Sequence, residues 1–590
     1  MKGSEYIAEF VARIGARHVF ALTGGACAFM IDAVARHPDL DVVCVQNEQA
    51  AAMAADAVWR VDRRVGVTMA TSGPGATNLI TGIACSFFDS IPSLHITGQV
   101  NQRESSTIHG AKVRQSGFQE TKIVEMVRPI TKYAVLVKTV EELRDELAKA
   151  YAIAMSGRMG PVLIDVPMDI QQAEIEPVFP AISVPAQFVG DVAVDDAIEA
   201  ISALLADAQR PVVLWGGGVA MADAGNELSA WLDNNEIPFV ASWAGLSAFP
   251  HDHPCFVGQI GVYGNRGANF VLQNADTVIV LGSRLDNRQR SGNAENFAVE
   301  ARIHVLDVDA EEIRKYGGGR YTGTVLDLKA LPRVLQSLSR PQISAEWRDY
   351  VREMRLTYRG CETSSTAKRL NTLSPYDVVR RLREIVEDDA IMVADTGAAV
   401  CWLHQSFEVK KHKLFTAGGN SPMGYALCAA IGAKLTAPGR QVISYIGDGG
   451  FQLNIQELQT IRHLGLDIAI VVMNNNSYGI IKQFQDSYMG SRYTASQDGY
   501  STPDFGAIAR AYGLQFQRVE RLEELAPDLL ERGAIVIEVA LSDQTLIEPK
   551  LEMGRPINDQ YPYLPSDQYQ RGNRFVSYPR PAGLRPGGNA

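Results

Sequence analysis

Val442-Ile443-Ser444-Tyr445-Ile446-Gly447-Asp448-Gly449, followed after residues 450 to 473 by Asn474-Asn475, decides the reading of this 590-residue chain. The apolar run before Gly447 predicts a buried strand. Asn454 to Leu464 looks helical, and Ile468 to Met473 predicts a second strand. Strand, loop, helix, strand and loop make one parallel crossover, with both polar loops at strand C-terminal ends. Ligands collect at that edge of an open α/β sheet. Asp448 offers a hard carboxylate and Asn475 a neutral amide oxygen. A few protein oxygens, completed by phosphate and water, suit Mg²⁺ bridging a diphosphate. Gly447 and Gly449 let the backbone approach phosphate oxygens. A tight turn and a polar turn in an ordinary α/β domain would read the same way.

Bulk properties narrow the class. The length suits about three to four domains, and an apolar fraction of 46% supports large cores. A net charge of −11 argues against nucleic acid or an anionic membrane as partner. No apolar run reaches the roughly 18 residues that span a bilayer. Lys2, Glu5, Glu9 and Arg13 are spaced like a helix face and lack a secretory pattern. The seven cysteines are scattered without a CxxC pair, which fits buried thiols in a reducing compartment. A cytoplasmic enzyme is the expectation.

Residues 1–172 alternate apolar runs with helical segments. The run 19–22 ends in Gly24-Gly25, 65–70 in Thr71-Ser72-Gly73-Pro74-Gly75, and 94–97 in Gly98. This rhythm predicts a doubly wound parallel sheet. Glu48 opens an Ala-rich helix, Gln49 to Trp59, where a carboxylate can complement the helix dipole or serve a site. The 72–75 turn running into Ala76-Thr77-Asn78 predicts a helix N-terminus, able to bind an anion or merely to punctuate. Residues 171–190 are Pro-rich and read as a linker. A second block, 190–345, contains a strand ending in Gly216-Gly217-Gly218, another ending in Gly282-Ser283-Arg284, and a third over 303–309. Glycines after a strand, a nearby arginine and an acidic strand end at Asp307 suit a dinucleotide; a Rossmann-like crevice without a ligand would look alike. Residues 345–372, polar and Arg-rich, predict a helix and linker. A third block, 373–545, holds the opening stretch and shares the rhythm of the first. In the tail, 546–590, Glu548 to Tyr563 has aromatics enough to dock as a cap, and 578–590 read as disordered.

Over residues 1 to about 550 a series of motifs falls in order: Gly24-Gly25-Ala26, Asn47-Glu48-Gln49, the 71–78 turn, Asp89-Ser90-Ile91-Pro92, Ile96 to Val100, Gly117-Phe118-Gln119-Glu120, Gly160-Pro161-Val162, Met423-Gly424-Tyr425, and Gly447-Asp448-Gly449 with Asn474-Asn475. In these the chain resembles the acetolactate synthase (acetohydroxyacid synthase) large subunits among the thiamine-diphosphate (ThDP) enzymes. The resemblance implies an α/β fold of three doubly wound parallel-sheet domains: pyrimidine-binding (1–172), central Rossmann-like and FAD-binding (190–345), and diphosphate-binding (373–545). It implies a cofactor held between the first block of one chain and the third block of another. A homodimer is then the smallest active unit; a homotetramer and a regulatory subunit stay open.

The resemblance also implies roles. Glu48 matches the glutamate that hydrogen-bonds the cofactor's aminopyrimidine ring and activates it. Pro74 and Asn78 fall against the cofactor, and Met423 matches the apolar wedge that bends it. Gly447, Asp448, Gly449 and Asn475 match the diphosphate motif; Asp448, the Asn475 side chain and the Ser477 carbonyl match the Mg²⁺ ligands. Gly25, Phe118 and Gln119 match pocket residues, as do Ile480, Ile481 and Phe484. Arg284 falls in the flavin-contacting segment and Asp307 on the strand near the adenosine, so FAD is implied, without a net redox part. Arg288 matches an arginine that reaches the second substrate, where a guanidinium suits a carboxylate. The implied reaction is decarboxylation of pyruvate, a 2-keto acid, and ligation of the two-carbon unit to an acceptor carbonyl.

Three places depart from the family. Gly397-Ala398-Ala399-Val400 stands where it has Gly-Gln-His-Gln, Phe484 where it has tryptophan, and Asn47-Glu48 where it has His-Glu. The acceptor is therefore open between a second pyruvate and another carbonyl, such as that of a ketosugar nucleotide in branched-sugar synthesis. Pyruvate decarboxylase chemistry ranks lower for want of an adjacent His-His pair, and a pyruvate oxidase would share the FAD. A non-catalytic regulatory paralogue is disfavoured by Glu48, Asp448 and Asn475 together.

Overall fold

The computed structural model describes residues 1–185, 189–359 and 365–578; residues 579–590 of the segment read as disordered lie outside these. Three six-stranded sheets form the chain, and every strand pairing within them is parallel. The first runs in space Asp41–Cys44, His18–Leu22, Gly66–Ala70, Ser93–Gln99, Val162–Pro167, Tyr133–Leu136. The third runs Lys413–Phe415, Ile391–Ala394, Val442–Gly447, Ile468–Asn474, Ile535–Ala540, Gln515–Val519. Counted within each sheet, both have the order 2-1-3-4-6-5. The middle sheet, from Tyr321–Val325 through Arg302–Asp307, Thr277–Leu281, Pro211–Trp215 and Phe239–Ala241 to Phe256–Gln259, has the order 6-5-4-1-2-3. That is the dinucleotide-binding order read from its other edge. The expected α/β architecture of three doubly wound parallel sheets is what the chain forms.

Composition explains which strands are central. Val162–Pro167, Pro211–Trp215 and Thr277–Leu281 are buried along their whole length, as strands covered by helices on both faces must be. The edge strands Asp41–Cys44, Tyr321–Val325 and Gln515–Val519 carry polar residues and are partly exposed. Strand order reverses between His18–Leu22 and Gly66–Ala70 in the first sheet, and between Ile391–Ala394 and Val442–Gly447 in the third. Of the residues singled out above, the loops leaving those strands hold Gly25, Pro74, Asn78, Asp448 and Gly449.

The first and third sheets are joined helix to helix. Glu48–Asp62 lies against Tyr425–Thr436, with Ala50, Ala51 and Ala54 fully buried. A Cβ on Gly432 would stand 2.1 Å from the Ala54 carbonyl oxygen, so the two backbones nearly touch. The helix after Gly447 begins earlier than periodicity predicts. Asp448–Leu453 is already helical, with Gly447 as N-cap, and Asn454 breaks it before Leu458–Leu464.

The tail is folded through residue 578. Leu551, Ile557, Tyr569, Val576 and Tyr578 join the core of the middle sheet. Their backbone is paired largely by side chains of the helix Arg266–Gln273 and its neighbours. Asn269 Nδ2 donates to Ile557 O at 2.9 Å, Asn274 Nδ2 to Gly572 O at 3.0 Å, and Asn274 Oδ1 accepts the Phe575 N–H at 3.0 Å. Among the described residues no helix is long and apolar enough to cross a membrane.

Candidate active site

Asp448 opens its short helix with the carboxyl 3% exposed. Its Oδ2 has no well-formed hydrogen-bond partner. Burial pushes its pKa up to about 7, against the Gly449 N–H, the Tyr500 hydroxyl and the Ser477 N–H, which favour the ionised form. Asn475, also buried, commits its amide nitrogen to Ser477 Oγ at 3.0 Å and leaves its amide oxygen for a ligand. Gly479 makes room for that amide: a Cβ there would stand 2.7 Å from Asn475 Nδ2. The Ser477 carbonyl accepts the Gly479 N–H at 2.9 Å and keeps a second lone pair. A Cβ on Gly447 would face open space. An orphaned buried carboxylate oxygen beside neutral oxygens fits a divalent cation. Among the described residues no cluster of three His, Cys, Asp or Glu is placed to hold a metal. One carboxylate with neutral donors suits Mg²⁺ that is shared with a diphosphate.

Met423 lies over the same loop. A Cβ on Gly449 would stand 3.0 Å from Met423 Cε and 2.4 Å from Tyr478 Cε1. Met423 precedes Gly424, which at φ 85° caps the helix Tyr425–Thr436. Asp395, not singled out from the sequence, is 1% exposed here. Its Oδ2 accepts the Gly424 N–H and its Oδ1 the Ala426 N–H, each at 3.1 Å. Burial pushes its pKa up to about 6. The signal was available: an aspartate directly follows a fully apolar strand, at the point where the strand order reverses.

Glu48 sits in the first turn of Glu48–Asp62, 4% exposed, behind Asn47, whose side chain accepts the Gln49 N–H at 2.8 Å. Asn78 Nδ2 donates to Glu48 Oε2 at 3.0 Å, and a Cβ on Gly75 would stand 3.0 Å from Glu48 Oε1. Pro74 starts the short helix that carries Asn78. Gly73, at φ 62°, lets Gln119 approach; a Cβ there would stand 2.9 Å from Gln119 Cβ. Gly25 faces open space, and Phe118 is 84% exposed. The loop of Phe118 and Gln119 is pinned by Glu120, whose carboxylate accepts from Ser105 Oγ, Thr107 N and Ser116 N at 3.0 to 3.2 Å. Burial would raise the Glu120 pKa, but these donors hold it down at about 2.

The Glu48 and Asp448 sets share no hydrogen bond among the described residues. The start of the Glu48 helix meets the third block elsewhere: the Gln46 N–H donates to Glu457 Oε1 at 3.1 Å, and Gln49 Nε2 to Asn454 Oδ1 at 3.4 Å.

Beyond Ser477 the helix Gly479–Tyr488 has inverted polarity. Lys482, Gln483 and Gln485 are buried, tied to Asp543 O, to Ile547 and to Thr494 O. Ile481 is 50% exposed, and Ile480 and Phe484 are half-buried.

A cavity of about 660 Å³ opens at the C-terminal edge of the middle sheet, with Gly217, Gly218, Ser283, Arg284, Arg288 and Asp307 on its wall. A Cβ on Gly218 would stand 2.7 Å from Gly282 Cα, so glycine keeps the two loops in contact. Burial pushes the Asp307 pKa up to about 6. Arg284 donates to Phe88 O at 2.7 Å, and the exposed Arg288 lies 5.8 Å over the Trp243 ring. The size, glycine-lined loops and guanidinium groups fit a dinucleotide.

Comparison with known proteins gives a consistent result. The family models "Thiamine pyrophosphate enzyme, N-terminal TPP binding domain", "central domain" and "C-terminal TPP binding domain" match residues 1–126, 198–335 and 395–539. The chain is 32% identical over 563 residues to the acetolactate synthase large subunit of Lactococcus lactis, covering 94% of each chain. It is 32% identical over 565 residues to the acetolactate synthase isozyme 2 large subunit of Escherichia coli, covering 94% of this chain and 98% of that one. To the probable acetolactate synthase large subunit of Methanocaldococcus jannaschii it is 33% identical over 544 residues, 90% of each.

Proposed function

The chain belongs to the thiamine pyrophosphate enzyme family, and from that premise we propose that it decarboxylates pyruvate and ligates the two-carbon unit to an acceptor carbonyl. Acetolactate synthase is the activity named for its relatives. The observation that carries the reading is the buried Asp448 oxygen without a partner, set beside Asn475, Ser477 and the apolar Met423. Asp448, the Asn475 amide oxygen and the Ser477 carbonyl would hold Mg²⁺ against the diphosphate. Met423 would set the bend of the cofactor. When bound, ThDP supplies the electron sink for loss of the carboxylate. Glu48, held at Oε2 by Asn78, would meet the cofactor's aminopyrimidine ring through Oε1 and exchange a proton with it. Gly25, Phe118 and Gln119 would line the substrate pocket, and Ile480, Ile481 and Phe484 would keep water out once a second copy covers them. Arg288 takes the acceptor carboxylate.

Two observations support completion of the site by a second copy. Glu48 and Asp448 belong to separate sets within the chain, and Phe118 and Ile481 stand exposed beside them. A homodimer is the smallest unit in this reading, a homotetramer its doubling, and the "large subunit" in the relatives' names leaves room for a regulatory partner. FAD would occupy the central cavity as a structural group, with Arg284 and Asp307 at its phosphates and ribose.

The test is product analysis with labelled pyruvate, ThDP and Mg²⁺. Acetolactate formed from pyruvate alone supports the synthase reading. A second reading, transfer to another carbonyl such as a ketosugar nucleotide, is favoured by the apolar Ala398-Ala399-Val400, half-buried or buried at the sheet edge. Slow turnover that such an acceptor restores would decide for it.

A further inference from the structure

Asp395 stands between the two loops that build the diphosphate half of the site. It directly follows the strand Ile391–Ala394, and its own N–H is bound to Tyr445 O at 2.9 Å, so its backbone is fixed to the sheet. From there the carboxylate reaches in two directions. Toward the Met423 loop it accepts the Gly424 and Ala426 N–H groups, each at 3.1 Å. Toward the Asp448 helix it fills the place of a side chain: a Cβ on Gly450 would stand 2.0 Å from Asp395 Oδ2. Gly424 is clamped on its other side by Asn454, whose Nδ2 donates to Gly424 O at 3.2 Å. Its φ of 85° is thus held by a carboxylate at one peptide and an amide at the next.

We propose that Asp395 is a positioning residue that locks Met423 to the Asp448–Gly450 turn, so that the wedge and the metal-binding carboxylate present one preformed surface to the cofactor. This rests on the ThDP reading above. The carboxylate touches neither cofactor nor substrate in this proposal. It acts through Gly424 on Met423 and through contact with Gly450 on Asp448. A carboxylate is suited to the task because it accepts several N–H donors at once and has none of its own. Asparagine would turn an N–H₂ group toward one of the amides it must accept from.

Two substitutions approach the carboxylate from opposite sides. Asp395→Asn removes one acceptor with little change in shape. Gly450→Ala leaves Asp395 intact and pushes a methyl group onto it from a helical position. Binding of ThDP with Mg²⁺ to the cofactor-free protein is measured by calorimetry, alongside steady-state turnover of pyruvate and melting of the cofactor-free protein. The expected result in both variants is a 10- to 100-fold weaker ThDP–Mg²⁺ complex. The same fold loss is expected in kcat, with KM for pyruvate within about threefold of the unsubstituted protein. Near-normal ThDP binding in either folded variant overturns the proposal. So does a loss of binding that only tracks a fall in melting temperature. If Asp395→Asn does not fold, Gly450→Ala decides alone. Failure of the unsubstituted protein to bind ThDP would instead strike at the cofactor reading itself.

Discussion

Arg60 donates from Nη2 to Asp89 Oδ2 across 2.9 Å, where the three sheets meet. The same guanidinium donates to Asp56 at 2.6 Å and to Thr416 O at 3.1 Å, and Asp89 accepts the Gly419 N–H at 2.8 Å. Arg284, on the wall of the central cavity, comes within 3.9 Å of Asp89. Asp56 is fully buried and also accepts from Ser86 Oγ and the Tyr425 hydroxyl. Burial alone would lower the Arg60 pKa, but the Asp56, Tyr425 and Asp89 oxygens hold it well above its usual value.

Arg60→Leu should therefore be strongly destabilising. It leaves Asp56 in the interior without a counter-charge and Asp89 with only the more distant Arg284, a loss of about 3–5 kcal/mol for a broken buried pair. The denaturant midpoint of the cofactor-free protein should fall accordingly, and a midpoint unchanged from the native protein would show that water already screens the pair.

Glu48→Gln keeps the shape of the side chain and its contact with Asn78 but removes the proton exchange. Turnover of pyruvate should drop about 10²–10⁴-fold, while thermal melting stays within about 1 kcal/mol of the native protein. Retained turnover would sink the assignment of Glu48.

The pH dependence of metal binding follows from Asp448. Its pKa is raised from 3.8 to about 7 in the metal-free fold. Below 3.8 the carboxyl is neutral in both folded and unfolded states, and its favourable share of stability is complete. Between the two values the folded state holds the extra proton, so stability falls as pH rises, and the share is gone above about 7. Mg²⁺ requires the ionised form. Its uptake with ThDP should release a proton and tighten with pH up to about 7, then level off. Calorimetry in buffers of different ionisation enthalpy reads the proton count, and Asp448→Asn should abolish the slope.

Gly432→Ala tests the helix crossing between the first and third sheets. The added methyl would start 2.1 Å from Ala54 O, so the helices must part. A loss of about 1–3 kcal/mol is expected for such overpacking, seen as an earlier unfolding transition.

The sheets were legible because parallel strands buried on both faces are short, unbroken apolar runs, as in Thr277–Leu281. Glu48, Asp448, Asn475 and Met423 were legible because their neighbours repeat a family's motifs. Asp395 offered only its place after an apolar strand, because its work is a contact with Gly450 and Gly424, distant in sequence. The helix start at Asp448 was misplaced because Gly449 and Gly450 hide helical periodicity. That Glu548 to Tyr563 docks was legible from its aromatics, but its place on the middle sheet was hidden for another reason. Asn265, Asn269 and Gln273 recur every four residues, as a solvent-facing stripe would, yet all are buried and bonded. Their partners lie in non-periodic loops about 290 residues later for Asn269 and Gln273.

That docking gives the chain a timetable. Domains fold as units while the chain is made, the N-terminal ones first. The middle sheet cannot do so fully, since part of its core and the second hydrogen bonds of the Asn269, Gln273 and Asn274 amides come from residues 551–578. The central domain is begun mid-synthesis and closed only once the helix Ser566–Gly572 has been made. A ribosome stalled anywhere before residue 557 therefore holds a chain whose middle third is still open, a natural point for a chaperone to engage.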